Sequence, residues 1–307
     1  MGDYIFRNYR ASDFSRFARL KVKAARSSPG RYRLSPQVIH ESLEPPDYSP
    51  EQDLFLVEFS AKVVGYLDVR PEMSIGRVIL DCFIVPEHRR QGLATRLFSY
   101  AAQRANAIGA KAVHVPVRQD KVVAKRLLAR LGFHPVRRFH ELRLDLAEFH
   151  PTMSASSFPI RHFQDGDEGK LVEIQNRSFA GTWGYSPNTV EAIKYRCSMS
   201  NTSLEGILIA YKGESPVGYC WTRIEPAEKT RADESTGQIF MLGVEPGYRN
   251  KGIGRALLLA GLAYLKGKGL RFAQLTVDSE NTAAIALYRS LGFEVWDSSL
   301  WYEKRLD

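Results

Sequence analysis

The chain of 307 residues contains little cysteine and no long apolar run. Its three cysteines, Cys82, Cys197 and Cys220, lie too far apart for a disulfide framework, and the seven histidines show no metal-ligand spacing. No segment approaches the roughly 18 consecutive apolar residues that a membrane-spanning helix requires. The first residues, MGDYIFRNYR, also lack the apolar core of a secretion signal. We therefore expect a reduced, cytoplasmic protein that uses no metal and does not span a membrane.

The composition is that of a globular protein, with 44% hydrophobic and 25% charged residues. The net charge of +9 is unevenly distributed along the chain. Residues 1–150 hold 25 basic and 16 acidic side chains, whereas residues 151–307 hold 18 of each. This excess in the first half fits either a solvated basic surface, or a polyanionic partner or phosphate-bearing cofactor.

The sequence repeats itself at an offset of 160 residues, with residues 85–94 matching 245–254 and 131–133 matching 291–293. Further upstream the offset is 153, because 64–66 matches 217–219. The second copy has therefore gained seven residues, within the polar stretch 225–237. We predict two copies of one domain, residues 1–149 and 158–307, joined by a short polar linker.

Strand and helix patterns alternate within each copy. In the second copy, runs typical of strands occupy residues 206–211, 217–223, 238–244, 272–277, 293–296 and 300–305. Helical periodicity occupies residues 165–179, 187–199, 255–266 and 281–291. This order predicts an α/β fold, in which helices cover a mixed sheet and ligands bind where strands end and helices begin.

A loop containing glycine joins a strand to a helix in both copies. Glycine lets the backbone approach a ligand closely, and the free amides of a helix's first turn attract anions. The loop matches neither a P-loop nor the three-glycine dinucleotide motif. We predict a pyrophosphate site in each copy, formed by Arg249, Asn250, Lys251, Gly252, Ile253, Gly254 and Arg255, and by Arg89, Arg90, Gln91, Gly92, Leu93, Ala94 and Thr95.

Two motifs in the second copy resemble the GNAT superfamily of acetyltransferases. They are R-x-x-G-x-G, at 249–254, and N-x-x-A-x-x-x-Y-x-x-x-G-F, at 281–293. The resemblance implies two tandem GNAT-like domains whose loop amides hold the pyrophosphate of acetyl-CoA. It also implies that a strand which splays from its neighbour binds the rest of the cofactor, so the further cofactor contacts would be Leu242, Gly243, Val244, Asn281 and Ala284, with Ile84 and Val85 in the first copy.

The same resemblance makes Tyr288 the general acid that protonates the departing thiolate. A tyrosine hydroxyl can donate that proton, whereas Leu128, at the matching position of the first copy, cannot. We therefore expect catalysis in the second copy and a structural or acetyl-CoA-holding role for the first. The alternative for Tyr288 is a core role, because it shares a helix face with Ala284 and Leu291.

The loop between the two early helices is where GNAT enzymes usually receive the acceptor amine. Its aromatic and glycine residues could wall a pocket for a small amine, or Trp183 could simply anchor the loop in the core. The candidate acceptor residues are Asn176, Phe179, Trp183, Tyr185 and Trp221.

The tandem arrangement and the strand at 218–223 further resemble the mycothiol synthase family. That resemblance implies a catalytic second domain and an inactive first domain that keeps acetyl-CoA. The general-base glutamate of that family falls at Gln238, and a glutamine side chain cannot accept the proton. Either Glu225 or Glu234 substitutes through water, or the substrate differs.

Together these features predict an acetyl-CoA-dependent N-acetyltransferase, monomeric or homodimeric, acting on a primary amine of a small molecule by direct attack. One alternative is acetylation of a protein N-terminus or lysine, which requires an open cleft. The other is an acetyl-CoA-binding protein whose basic first half binds a polyanion. Nucleic acid is disfavoured as a partner, because the basic residues are dispersed and no nucleic-acid-binding motif is present.

Overall fold

A computed structural model describes residues 3–26, 34–150, 158–226 and 235–306. The chain forms two compact units, Met1–Phe139 with Asp297–Asp307, and His140–Trp296. The division expected from the repeat follows chain order, whereas the contacts place residues 140–149 with the second unit and 297–307 with the first. Residues 151–157 of the expected linker lie outside the described residues.

The first unit is a mixed sheet with helices packed on it. Its sheet has the order β1-β2-β3-β4-β5-β12, in which β4 and β5 are parallel and the other neighbours are antiparallel. The strands are β1 (Ile5–Asn8), β2 (Leu54–Phe59), β3 (Lys62–Glu72), β4 (Arg77–Ile84), β5 (Ala112–Arg118) and the last part of β12 (Glu294–Arg305). The helices are α1 (Phe14–Arg26), α2 (Pro36–Glu41), α3 (Pro50–Asp53), α4 (Leu93–Ala107) and α5 (Val122–Arg130).

The second unit repeats this plan. Its sheet has the order β7-β8-β9-β10-β11, followed by the last part of β6. The strands are β6 (His134–Asp145), β7 (Ile160–His162), β8 (Ile207–Lys212), β9 (Ser215–Ile224), β10 (Thr236–Val244) and β11 (Phe272–Asp278), and the helices are α6 (Glu168–Phe179), α7 (Val190–Ser198), α8 (Ile253–Gly267) and α9 (Thr282–Arg289). The predicted α/β fold is confirmed, but the two closing strands predicted at 293–296 and 300–305 form one strand, β12. None of the described helices is both long enough and apolar enough to cross a membrane.

Helices cover both faces of the second unit's sheet, and β9 shows why. On one face, Cys220 packs with the buried leucines of α8, such as Leu257 and Leu262. On the other face, Tyr219 and Trp221 pack beneath α6 and α7. Successive residues of a strand point to opposite faces, so β9 contributes to two separate cores. Each fully buried leucine contributes about 1.5–3 kcal/mol to stability.

Candidate active site

Strands β10 and β11 diverge after a short stretch of pairing. Their parallel pairing covers only residues 236–238 and 272–274, although β10 continues to Val244 and β11 to Asp278. The register of β10 against β9 also shifts between Ile239 and Met241, which marks a bulge. Backbone groups of β10 beyond the bulge therefore have no partner in β11. In the first unit, β4 and β5 diverge in the same way, after Ile79 and His114.

The loop after β10 presents a row of free amides. Asn250 and Gly252 have left-handed φ angles of +61° and +79°, and α8 begins at the next residue. In the described part of the chain, none of the amides from Asn250 to Arg255 donates to a protein acceptor, and the first bonded amide is Ala256, which donates to the Gly252 carbonyl at 3.0 Å. Six adjacent donors at the positive end of a helix dipole form a cradle for an anion.

The first unit contains a second cradle with the same geometry. Arg90 and Gly92 have φ angles of +61° and +73°, and α4 begins at Leu93. Among the described residues, no acceptor is bonded to the amides of residues 90–95, and the Arg96 amide donates to the Gly92 carbonyl at 3.2 Å. Arg90, Gln91 and Thr95 are exposed there, whereas Ile84, Val85 and Leu93 are buried. The repeat found in the sequence thus corresponds to a repeated backbone conformation, with two left-handed residues directly before a helix.

Glycine is required at two of these positions for different reasons. A Cβ added at Gly252 would meet no atom within 4 Å, so glycine is needed there for the left-handed φ angle rather than for space. A Cβ at Gly243 would lie 2.6 Å from the ring of Tyr219 and 2.8 Å from Ser178, so glycine there makes room for the tyrosine. At Gly254 a methyl group would make ordinary contacts, the nearest at 3.5 Å, which matches the alanine at position 94.

The basic side chains of the second loop contact the protein rather than the cradle. Arg249 donates from Nε to the Val244 carbonyl at 3.1 Å and from its second terminal nitrogen to the Ser178 carbonyl at 2.8 Å. Lys251 donates to a loop carbonyl at 3.2 Å, and Arg255 donates to the Ser290 hydroxyl at 2.9 Å. These side chains brace the loop, and their part in the expected pyrophosphate site stays a prediction. The amides are the free donors.

Tyr288 is buried in α9, where it packs edge-on to Phe293 with ring centroids 5.8 Å apart. Burial, and next the nearby Cys220 thiol, raise the pKa of the Tyr288 phenol well above its ordinary value. The phenol therefore stays protonated across the working pH range. Leu128 occupies the same place in α5 and is equally buried.

Asn281 begins helix α9 as its N-cap. Its side-chain oxygen accepts a hydrogen bond from the Ala284 amide at 3.1 Å. Lys121 stands at the same position before α5 and makes no such bond. The asparagine therefore has a structural task besides the cofactor contact implied by the resemblance.

Tyr219, which the sequence analysis did not single out, lies next to the diverging part of β10. It lies fully buried on β9 opposite Gly243, and its hydroxyl donates to the Met241 sulfur at 3.7 Å. Burial raises the pKa of this phenol well above its ordinary value, with smaller effects from Tyr185 and Cys220. Its presence in both copies, as Tyr66 and Tyr219, was the available signal.

The loop between α6 and α7 is held by a hydrogen-bond network centred on Asn176. The Asn176 side-chain oxygen accepts from the Tyr185 hydroxyl at 2.7 Å and from the Asn188 amide at 2.9 Å. Phe179 stacks on Tyr185 with centroids 5.3 Å apart. Three predicted acceptor residues therefore lie together, and Asn188, which the sequence analysis missed, joins them.

The two predicted tryptophans are placed differently. Trp183 is partly buried in the loop. Trp221 is fully buried, and its ring meets Phe240 edge-on with centroids 5.5 Å apart. Trp221 is therefore part of the floor beneath α6 and α7 rather than an exposed pocket wall.

Of the two acids considered as bases, Glu225 follows the end of β9 and accepts a hydrogen bond from Asn201 at 3.0 Å. Glu234 lies outside the described residues. Gln238 pairs with Arg223 across the sheet, near the start of β10. In the ranges that the structure describes, no three His, Cys, Asp or Glu side chains form a group able to hold a metal ion.

The chain matches the model of the acetyltransferase (GNAT) family over residues 23–133 and 169–293. It is 30% identical over 294 residues to mycothiol acetyltransferase of Saccharomonospora viridis, which covers 92% of this chain and 93% of that protein. It is 33% identical over 234 residues to mycothiol acetyltransferase of Thermobispora bispora, covering 73% and 75% of the two chains.

Two solved structures share this fold over nearly the whole chain. A tandem GNAT protein from the clavulanic acid biosynthesis pathway, 18% identical, covers 99% of this chain and 98% of its own with a TM-score of 0.78. A GCN5-related N-acetyltransferase from Sphaerobacter thermophilus, 24% identical, covers 98% and 95% with a TM-score of 0.75. Since one family match falls in each repeat and the relatives span both, the chain belongs to the GNAT acetyltransferase family as a tandem N-acetyltransferase.

Proposed function

We propose that this enzyme transfers an acetyl group from acetyl-CoA to a primary amine of a small molecule, and that the reaction takes place in the second unit. The observation that carries the proposal is the row of six free amides at residues 250–255, directly after a strand that diverges from its neighbour. GNAT acetyltransferases use acetyl-CoA as donor. A pyrophosphate accepts several hydrogen bonds and carries negative charge, so it is complementary to this cradle.

The donor would lie along the second unit's diverging strands. The amides at 250–255 would hold its pyrophosphate, and the backbone of Leu242, Gly243 and Val244, free on the β11 side, would bond the arm that leads to the thioester. Asn281 and Ala284, at the start of α9, would contact the same ligand. When bound, acetyl-CoA supplies the acetyl group as a reactive thioester.

Side chains of the protein would donate the proton to the departing sulfur and remove the proton from the amine. Tyr288 is assigned as general acid that delivers the phenol proton to the departing sulfur. Its raised pKa keeps the phenol protonated but weakens it as a donor, so correct placement has to supply most of the advantage. The base that removes the amine proton is assigned to Glu225 or Glu234 acting through water, because Gln238 cannot accept a proton.

The first unit would hold acetyl-CoA without turning it over, or act as a scaffold. It keeps the free amides of residues 90–95 and the diverging strands, which supports donor binding. It also repeats the bracing bond, since Arg89 donates from Nε to the Ile84 carbonyl at 2.9 Å. It lacks the acid, because Leu128 stands in place of the tyrosine.

The acceptor is assigned as a small molecule because relatives at 30–33% identity are named mycothiol acetyltransferase. The network of Asn176, Tyr185 and Asn188 supports this assignment, since it fixes the loop against α6 and α7. Phe179 and Trp183 would complete the acceptor side of the site, above the floor that the buried Trp221 helps to form.

Calorimetric titration with acetyl-CoA, together with release of free coenzyme A thiol in the presence of small amines, tests the proposal. Two bound molecules per chain would make both cradles donor sites. One bound molecule whose binding Gly252→Asp weakens would make the first unit a scaffold. The absence of binding would refute the proposed function.

A further inference from the structure

Two arginines on the α6 and α7 side of the second unit have no acidic partner among the residues that the structure describes. Arg223 lies on β9, stacked on the Phe240 ring at 3.4 Å and 5.4 Å from the Trp221 ring centroid. Its Nε is buried and bonded to nothing in the described chain. Arg196, on α7, donates to the Asn188 side-chain oxygen at 2.6 Å. Neither guanidinium has a carboxylate within ion-pairing distance among the described residues.

The first unit contains an arginine at the position equivalent to Arg223, and its contacts can be compared with those of Arg223. At the offset of 153 residues, Arg223 corresponds to Arg70 of the first unit. Arg70 forms an ion pair with Asp68 at 2.9 Å and donates to the Ser42 carbonyl at 2.6 Å. Its charge is therefore neutralised within the protein.

The carboxylate contact is lost in the second unit. The counterpart of Asp68 is Trp221, and the counterpart of Ser42, at the offset of 154 that aligns Asp13 with Asp167, is Arg196. An uncharged ring thus stands in place of the aspartate, and a second cation stands in place of the serine whose backbone carbonyl Arg70 contacts. The second unit therefore has the arginine of the first unit but lacks the aspartate that forms its ion pair there.

A second ion pair of the first unit is missing as well. There Lys21 lies 2.5 Å from Asp81, and their counterparts in the second unit are Gln175 and Met241. On this face the first unit therefore has two cations, Arg70 and Lys21, together with Asp68 and Asp81. The second unit has two cations, Arg223 and Arg196, and neither aspartate. Glu225 is the acidic group whose charge acts on Arg223, but no ion pair joins them.

Three buried donors lie on this face, and acceptor atoms of Asn201 and Glu225 are buried near Arg223 as well. The side-chain nitrogens of Gln175 and Trp221 are buried without an acceptor in the described part of the chain, as is Nε of Arg223. An anion only accepts hydrogen bonds, so it complements a set of donors with excess positive charge. Burial, and next the charge of Arg196, lower the pKa of Arg223 to about 9, which leaves the side chain charged at neutral pH.

This cluster lies beside the residues proposed for the acceptor side of the site. Trp221 pairs with Met241 at the bulge of β10, and Arg223 is two residues further along the same strand face. The Arg196 charge acts on the phenol of Tyr219, and Arg196 is bonded through Asn188 to the network that holds the acceptor loop. A group bound here would therefore lie on the acceptor side rather than in the donor cradle.

We propose that the acceptor amine carries an anionic group, a carboxylate or a phosphate, which Arg223 and Arg196 bind on this face of the second unit. The inference rests on the proposed function and narrows its substrate class. The arginines are specificity residues in this scheme, and the chemistry stays with the groups assigned above.

The test is calorimetric titration of the full-length enzyme with inorganic phosphate and, separately, with succinate. Saturating coenzyme A is present throughout so that the cradles are filled. We expect at least one anion to bind, and Arg223→Gln or Arg196→Gln to raise its dissociation constant about tenfold or more, as expected for a lost charged hydrogen bond. Lys194→Gln, which removes an exposed charge from the same helix, is the matched control and should leave binding unchanged.

A second arm compares acetyl transfer to matched amines, β-alanine against propylamine and O-phosphoethanolamine against ethanolamine. The wild-type enzyme should prefer the anionic member of one pair about tenfold in kcat/KM, and Arg223→Gln should remove the preference while the KM for acetyl-CoA stays the same. The pair that is discriminated identifies carboxylate or phosphate. If Arg223→Gln does not fold, Arg196→Gln and Arg223→Lys carry the test.

Lack of binding by both anions, or equal binding by wild type and both glutamine variants, would overturn the inference. A preference for the neutral amines would do the same. Failure of the proposed function is a separate result, because it appears as the absence of heat when coenzyme A itself is titrated.

Discussion

Replacing Gly252 by aspartate is expected to weaken acetyl-CoA binding by placing a negative charge in the second cradle. No atom lies within 4 Å of a Cβ at this position, so the side chain fits and the effect is electrostatic rather than steric. A carboxylate about 5 Å from a phosphate charge costs about 1 kcal/mol at the dielectric constant of water and about 3 kcal/mol at an effective value of 20. Binding at this cradle should therefore weaken by between about fivefold and two-hundredfold.

Backbone strain has to be separated from charge, because residue 252 has a φ angle of +79°. Gly252→Asn is the matched control: it has the same shape without the charge, and the neighbouring Asn250 already adopts a left-handed φ of +61°. Both variants should lose about 1 kcal/mol of stability, but only the aspartate should weaken binding strongly. Gly92→Asp tests the first cradle in the same way. Wild-type affinity in Gly252→Asp, measured by calorimetry, would show that the anion does not bind at these amides.

Three further outcomes are expected. Tyr288→Phe should lower kcat at least about tenfold with acetyl-CoA affinity unchanged, and unaltered turnover would remove the phenol from the acid role. Asn281→Ala should cost about 1 kcal/mol through loss of the α9 cap, whereas Asn281→Asp should not; equal urea midpoints for the two would contradict the capping role. The Arg161 hydrogen bonds lower the pKa of Asp167 from 3.8 to about 2, so its contribution to stability is present above about pH 4 and is lost as the pH falls through 2. Asp167→Asn should therefore flatten the acid limb of the urea midpoint against pH, and an unchanged limb would contradict this.

Much of the fold and of the geometry of the two glycine loops could be predicted from sequence because their rules are local. A glycine that must adopt a left-handed φ, a helix that begins directly after it and a strand that ends before it are all visible within a dozen residues. The match at an offset of 160 residues then showed that the chain contains this strand, glycine loop and helix twice. The position of Tyr288 on a buried helix face also followed from periodicity.

Other features depend on residues that meet only in the folded chain. The contact of Arg249 with the carbonyl of Ser178, 71 residues away in the chain, is an example that no local pattern predicts. The periodicity of the last strand could not show that residues 297–307 pack with the first unit. Tyr219 gave no motif of its own, and its place beside Gly243 comes from the pairing of β9 with β10.

The sequence by itself determined that this protein contains two related domains, each with a glycine loop before a helix, because backbone conformation responds to neighbouring residues. Only the tertiary structure decided the electrostatics of the second unit's face beneath α6 and α7. Whether a buried arginine is neutralised depends on which side chains from other elements approach it. Arg70 meets Asp68 and the Ser42 carbonyl, whereas its counterpart Arg223 lies beside Trp221 and Arg196, and this difference is visible only when the two units are compared contact by contact.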